Sequence, residues 1–309
     1  MGDSRHPNFV LIAANPRAGS QSRDRHLREL AEWLRERGRT VEILSDLPRV
    51  EQLATRLFEQ GELGALVGAG GDGTLAELMN RTPPGTPLAV YPAGTANLVA
   101  RHVGAIRRVP LFGQMLLDRL IVRLDAGRAN GRLFMAICSC GFDADVVARL
   151  HAARTGHITP WAYFRPILTA IRGYTFPELQ VSSAEGSMQT AHWAFISNLP
   201  CYAGGLKPGA GACGTDGLLD VCTFDRGGLL SALRYLPYLF LGAQGRLADC
   251  QSFRSGSVRI ESAAPGVHYE LDGDPGGTLP VEIDILPGRL TLIVPRSYAE
   301  AASQAGIGH

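Results

Sequence analysis

The chain has 309 residues, a formal net charge of +1, and is 45% hydrophobic and 19% charged. Its length exceeds a comfortable single core and predicts two domains, while its apolar content excludes a disordered chain. A nearly neutral chain lacks the field that nucleic acid requires, so no nucleic-acid partner is expected.

The first 125 residues alternate apolar runs with helix-like stretches. Phe9-Val10-Leu11-Ile12-Ala13 reads as a buried strand ending at Asn15-Pro16-Arg17-Ala18-Gly19-Ser20, with no signal-peptide core ahead of it. A charged helix from about Arg23 to Arg37, closed by Gly38, precedes a second strand, Thr40 to Leu44. A helix from Arg49 to Gly61 leads to the strand Ala65-Leu66-Val67, and Leu88-Ala89-Val90-Tyr91 forms a fourth strand. This alternation predicts a parallel sheet with helices on both faces, whose ligands bind beyond the carboxyl ends of the strands.

From about residue 120 the pattern becomes one of short strands. Ile121 to Asp125 and Leu133 to Ile137 flank Asn130-Gly131, a hairpin signal. Val181 to Ser183 and Ala191 to Phe195 flank a turn at Glu185-Gly186-Ser187. Further strands are expected at 218–224, 257–260, 267–271, 281–286 and 290–294, with helical insertions at 142–152, 158–173 and 228–245. The fold class is therefore α/β. A parallel-sheet domain, 1–125, precedes a β-rich antiparallel sandwich, 126–295, with a cleft between them, and the tail 296–309 is expected to return to the first domain. The apolar run Leu229 to Leu241, broken by Arg234 and Pro237, reads as a core helix or, with a lipid substrate, as a face that touches lipid. Six cysteines without C-x-x-C or zinc spacing suit a reduced, cytoplasmic protein, and no apolar run reaches membrane-spanning length.

Gly70-Gly71-Asp72-Gly73-Thr74, followed by Glu77 and Asn80, lies between a strand and a helix. Glycines without Cβ atoms and a helix N-terminus suit a phosphate, with Asp72 a hydrogen-bonding or Mg²⁺-linked carboxylate beside it. Gly94-Thr95-Ala96-Asn97 supplies a second loop at the neighbouring strand end. The frame Gly68-x-Gly70-x-x-Gly73 also matches a dinucleotide fingerprint, but no acidic residue ends the next strand, which disfavours an NAD oxidoreductase. With one lysine, Lys207, the chain has no P-loop. By the residues alone, Asp216-Gly217 reads equally as a type I turn and Asp272-Gly273 as a hairpin turn.

Together, Asn15-Pro16 with Gly19, the GGDGT loop with Glu77 and Asn80, and Pro92 to Asn97 resemble the diacylglycerol kinase catalytic family, which includes bacterial lipid kinases and the sphingosine and ceramide kinases. Gly141-Phe142-Asp143-Ala144, Asn198 with Gly204-Gly205 and Pro208, Asp216 to Asp220, and Leu271 to Asp274 resemble its later segments in order. NAD kinases share the GGDGT loop but lack the downstream pair.

The resemblance implies an ATP- and Mg²⁺-dependent lipid kinase, with diacylglycerol the first substrate and a sphingoid base or ceramide the alternative. Gly70, Gly71, Asp72, Gly73, Thr74, Ser45, Glu77, Gly94 and Thr95 would surround the nucleotide, braced by Asn15 and Asn97; Leu98 stands where the family commonly has Asp. Asp216 would hold a structural Mg²⁺ with the carbonyls of Cys213 and Leu218. Asp274 would be the catalytic base in place of the usual Glu, with Asp272 on the same strand face sharing the work and Asp72 also catalytic. The shorter Asp274 keeps open a non-catalytic, nucleotide-responsive lipid-binding module. The membrane lipid would be reached by peripheral contact at the inner membrane face. The motifs do not set the oligomeric state, and a homo-dimer is compatible with them.

Overall fold

A computed structural model describes residues 7–14, 21–94, 96–152, 173–200, 202 and 205–304. The chain divides into two compact units, 1–124 with 288–309, and 125–287.

The first unit begins with β1 (Phe9–Ala14), α1 (Gln21–Arg35), β2 (Thr40–Leu44), α2 (Leu47–Glu59), β3 (Leu63–Gly70), α3 (Asp72–Arg81), β4 (Leu88–Pro92), α4 (Leu98–Val103) and α5 (Val109–Asp118). The strands are ordered β2-β1-β3-β4 and all run parallel. Parallel neighbours need crossover helices, and strands covered on both faces become continuously apolar. β3 is buried at every residue. On α1, Leu27, Leu30, Ala31 and Leu34 are buried at the spacing of one helical face.

The second unit is antiparallel. It comprises β5 (Ile121–Ala129), β6 (Arg132–Phe134), β7 (Ile137–Cys140), α6 (Phe142–Ala152), β8 (Leu179–Ser183), β9 (Met188–Ala191), β10 (Trp193–Ser197), β11 (Leu219–Phe224), α7 (Leu229–Leu241), β12 (Cys250–Ser255), β13 (Ser257–Glu261), β14 (His268–Leu271), β15 (Asp274–Thr278) and β16 (Val281–Ile293). One sheet runs β12-β11-β10-β7-β14-β15. Facing it, β13 lies between β8 and the first half of β16, with β9 beyond β8. Phe134, Ile196, Val221, Ile260 and Ile283 belong to the core between these sheets, which makes the unit a sandwich. On the other face of the six-stranded sheet, Phe195 and Phe224 meet Tyr235 and Leu239 of α7.

The second half of β16 joins β4 in parallel through Leu292 and Leu88. α8 (Arg296–Gln304) follows; its Tyr298 hydroxyl lies 3.0 Å from His102 Nε2 of α4. The segment 288–295, expected with the β-rich domain, thus belongs to the first unit. The gap expected at Pro287-Gly288 is a kink in one strand, with Gly288 at φ 60°.

Two other expected strands each divide between sheets. Leu133 to Ile137 breaks into β6 and β7 because the amides at its centre bond to a carboxylate rather than to a strand. Ala191 to Phe195 breaks at His192, whose amide donates to the Phe224 carbonyl. α4, α5, β12 and β15 have no counterpart in the sequence reading. Residues 158–172 of the expected helix, with the candidate acyl-chain residues Trp161, Tyr163, Phe164, Ile167, Leu168 and Ile171, lie outside the described residues.

Candidate functional site

β3 runs through Gly70 and α3 starts at Asp72, leaving Gly71 alone as the connection. Gly71 lies against Gly94, just beyond the end of β4. A methyl group added at Gly94 would sit 2.4 Å from Gly71 Cα, and one added at Gly70 would sit 2.1 Å from Thr74 Oγ1. Only glycine permits two backbones to approach so closely. The Ala93 amide donates to the Gly70 carbonyl at 3.0 Å. Asn97, in the left-handed region at φ 48°, accepts from the Gly94 amide at 2.9 Å and donates to its carbonyl at 2.8 Å. The two glycine loops form one braced backbone surface beside the N-terminus of α3. Such a surface suits phosphate oxygens.

Asp72 is buried, and its carboxylate turns to the neighbouring helix. It accepts from the Leu98 amide at 2.9 Å and the Val99 amide at 3.1 Å. These are unsatisfied N-terminal amides of α4, and an anionic acceptor suits them. Asp72 therefore ties one loop to the other, which is the hydrogen-bonding role among those expected of it.

Glu77 lies a turn into α3. Its carboxylate pairs with Arg81 Nε at 3.1 Å, and Arg81 pairs also with Glu51 of α2. That contact joins two helices. Ser45 is exposed at the carboxyl end of β2. β1 lies between β2 and β3, so Ser45 and the glycine cradle end strands about 10 Å apart. Asn15 and Thr95 lie outside the described residues.

In the second unit, Leu271 pairs directly with Asp274, and Asp272 and Gly273 have φ of 53° and 88°. This is a two-residue hairpin with both central residues left-handed, the arrangement Asp-Gly favours. Asp272 and Asp274 consequently do not share a strand face. Asp272 accepts from the amides of Met135, Ala136 and Ile137 at 2.7, 2.8 and 3.0 Å. It is the anchor that separates β6 from β7, and its oxygens are engaged in that task. Asp274 is half-buried, and no hydrogen bond or ion pair engages its carboxylate among the described residues. Of the two, Asp274 is the group available to take a proton.

Beneath this hairpin lies a network that the sequence reading missed. Glu270 is fully buried and accepts from the Gly273 amide at 2.5 Å. Ser139 Oγ lies 2.8 Å from Glu270 and 2.5 Å from Asp143, which also accepts from Trp193 Nε1 at 2.6 Å and the Tyr202 hydroxyl at 3.0 Å. One hydroxyl proton cannot serve both carboxylates, so a second proton must reside in the pair. Burial pushes both carboxyls up, Glu270 well above its ordinary value, and the neighbouring Asp143 charge adds to the shift at Glu270. Asp143 was singled out by its motif, whereas a lone Glu in His268 to Leu271 gives no sequence signal of burial.

The expected Mg²⁺ loop has different contacts. Asp216 pairs with Arg254 Nη2 at 2.8 Å and accepts from its own chain at the Leu218 amide, 3.1 Å away. The Cys213 carbonyl accepts from the Thr215 and Asp216 amides. The Asp216 carboxylate is thus already engaged by a guanidinium. Arg254 reaches Asp220 as well, at 3.3 Å. The one side-chain ligand expected for Mg²⁺, Asp216, is thus paired with Arg254, and no group of three acidic, His or Cys side chains suited to a metal occurs among the described residues. Asp125, buried at the start of this unit, completes the loop by accepting from the Gly217 amide at 2.8 Å.

Residues 9–129 match the family model described as the diacylglycerol kinase catalytic domain, and residues 136–294 match the YegS C-terminal NAD kinase beta sandwich-like domain. A Mycobacterium tuberculosis protein named diacylglycerol kinase is 30% identical over 242 residues, covering 75% of this chain and 77% of that one. A Bacillus subtilis diacylglycerol kinase is 23% identical over 297 residues, covering 94% and 97%. Among solved structures, a diacylglycerol kinase from Bacillus anthracis superposes with TM-score 0.64 at 18% identity, over 96% of this chain and 100% of that one. An NAD kinase from Archaeoglobus fulgidus, in complex with ATP, gives 0.54 at 11% identity, over 97% and 100%.

Proposed function

Because the chain belongs to the diacylglycerol kinase catalytic family and is a kinase, we propose that it phosphorylates the hydroxyl of a membrane lipid, with ATP as donor. The observation that carries this reading is the Gly71–Gly94 contact, which brings two loops at adjacent strand ends together into one backbone surface. The fold shared with an ATP-bound NAD kinase supports ATP as the nucleotide. Mg²⁺ enters with ATP as part of the co-substrate.

Phosphoryl transfer asks a protein chiefly for positioning and charge compensation. The glycine loops hold the phosphates through backbone amides. Asp274 accepts the proton of the lipid hydroxyl as its oxygen bonds to the γ-phosphorus and the bond to ADP breaks. Asp272 and Glu270 hold the hairpin that carries Asp274 from below. The relatives named diacylglycerol kinase favour diacylglycerol as the acceptor; a sphingoid base or ceramide is the alternative. The enzyme reaches such a lipid by peripheral contact with the cytoplasmic membrane face; no helix among the described residues is long and apolar enough to cross a membrane.

The test is incubation with γ-labelled ATP, Mg²⁺ and a panel of diacylglycerol, sphingosine and ceramide. Labelled phosphatidic acid is the expected product. Nucleotide binding with no phospholipid would instead favour the non-catalytic module that the shorter Asp274 suggests, and phosphorylation of NAD alone would overturn the reading.

A further inference from the structure

α7 carries a surface that the catalytic reading does not use. Among the described residues, seven large apolar side chains are exposed, and four are on this helix: Leu230 at 85%, Leu233 at 50%, Phe240 at 50% and Leu241 at 76%. With exposed Pro237 they recur at three- and four-residue intervals, which places them along one face. The opposite face is committed. Ala232, Tyr235 and Leu239 are buried, and Tyr235 packs on Phe224 with ring centroids 4.3 Å apart. The helix is held down through buried Asp249, which accepts from the Tyr235 hydroxyl at 2.9 Å and pairs with Arg226 and Arg234.

The rim of this strip is cationic. Arg226 lies before the helix and Arg234 within it, with side chains 69% and 43% exposed. At the other end the amide of exposed Lys207 donates to the Leu239 carbonyl at 2.8 Å, and exposed Arg246 follows the helix. The chain's only lysine thus stands beside Phe240 and Leu241. α7 itself contains no acidic residue.

We propose that the exposed face of α7 is a docking surface for an anionic lipid bilayer. An apolar strip with a basic rim matches acyl chains beneath negative headgroups. A second copy of this chain fits less well, because a symmetric contact would set the same basic rim against itself. The inference deepens the lipid-kinase reading, since it names the surface by which the enzyme meets a bilayer substrate.

Co-sedimentation with vesicles tests it, using phosphatidylcholine alone and about 3:7 phosphatidylglycerol to phosphatidylcholine. The wild-type protein is expected to bind the anionic vesicles, and raised salt to weaken binding. Leu230→Ser with Leu241→Ser should lower the partition coefficient about tenfold, and Lys207→Gln with Arg246→Gln about threefold or more. Both sites are exposed, so circular dichroism melts should be unchanged. The leucine variant should still phosphorylate a short-chain, water-soluble diacylglycerol while losing turnover on vesicles. Unchanged vesicle binding in that variant overturns the proposal, as does a wild-type dimer that the same variant dissociates. Vesicle binding by α7 with no phospholipid product would uphold the surface and sink the catalytic reading.

Discussion

Asp72 in the first unit and Asp272 in the second each precede a glycine, and each spends its carboxylate on remote backbone amides. Asp72 accepts from two amides at the start of α4, and Asp272 from three amides between β6 and β7. The settings differ: one is a strand-to-helix connection, the other a tight hairpin. An aspartate beside glycine stabilises a turn because its short side chain reaches backbone donors that the turn exposes. In both units the group left for chemistry is a neighbour of the brace. In the proposed reaction it is the glycine backbone in the first and Asp274 in the second.

The largest expected effect breaks this contrast at Asp274. Asp274→Asn should lower phosphoryl transfer by about 10²–10⁴-fold, the range of general-base catalysis, with ATP affinity and melting temperature nearly unchanged. Labelled-ATP turnover and calorimetric ATP titration would read it, and turnover near wild-type would return the base to another group. Asp72→Asn and Asp272→Asn should behave differently from it and like each other. Each points an amide NH₂ at amide donors, and loss of charge-assisted hydrogen bonds costs about 2–3 kcal/mol. Urea unfolding would measure this. A stable but inactive Asp72→Asn protein would make Asp72 catalytic after all.

Glu270 sharpens the comparison through pH. Burial raises its folded-state pKa above the unfolded value, so the folded protein keeps a proton that the unfolded chain has released. This contribution is complete below the unfolded pKa and is lost as pH rises through the raised folded value. Glu270→Gln keeps a donor for Ser139 and an acceptor for Gly273 without a charge to form. Its melting temperature should therefore fall less than that of the wild type between about pH 5 and pH 9. Parallel curves for the two proteins would show that Glu270 is ionised when folded. The smallest effect concerns the Asp216 loop. Chelation should leave the melting temperature of the nucleotide-free protein unchanged, because Arg254 already pairs with Asp216 and Asp220. Arg254→Gln should cost below about 1 kcal/mol, as expected of a half-exposed pair. It should also make stability respond to Mg²⁺, and a Mg²⁺-stabilised wild type would restore the metal.

The order of most elements and the two-part architecture were written in the chain itself. Apolar runs such as Ala65 to Val67 and Leu88 to Tyr91 mark buried strands because burial on both faces leaves no polar alternative. Asn130-Gly131 and Asp272-Gly273 mark hairpins because both central residues must adopt positive φ. The paired glycine loops were legible too, since local spacing encodes strand ends. Tertiary structure alone decided which way the carboxylates point. Asp72 reaches α4 across 26 residues of sequence, Asp272 reaches Met135 across 137, and Arg254 reaches Asp216 across 38. Glu270's burial and its contact with Ser139, 131 residues away, likewise arise only in the fold. Periodicity and turn chemistry are properties of neighbouring residues and can be read in order. Hydrogen-bond partners and solvent exposure arise only when distant segments meet, and those contacts separate a bracing aspartate from one free to accept a proton.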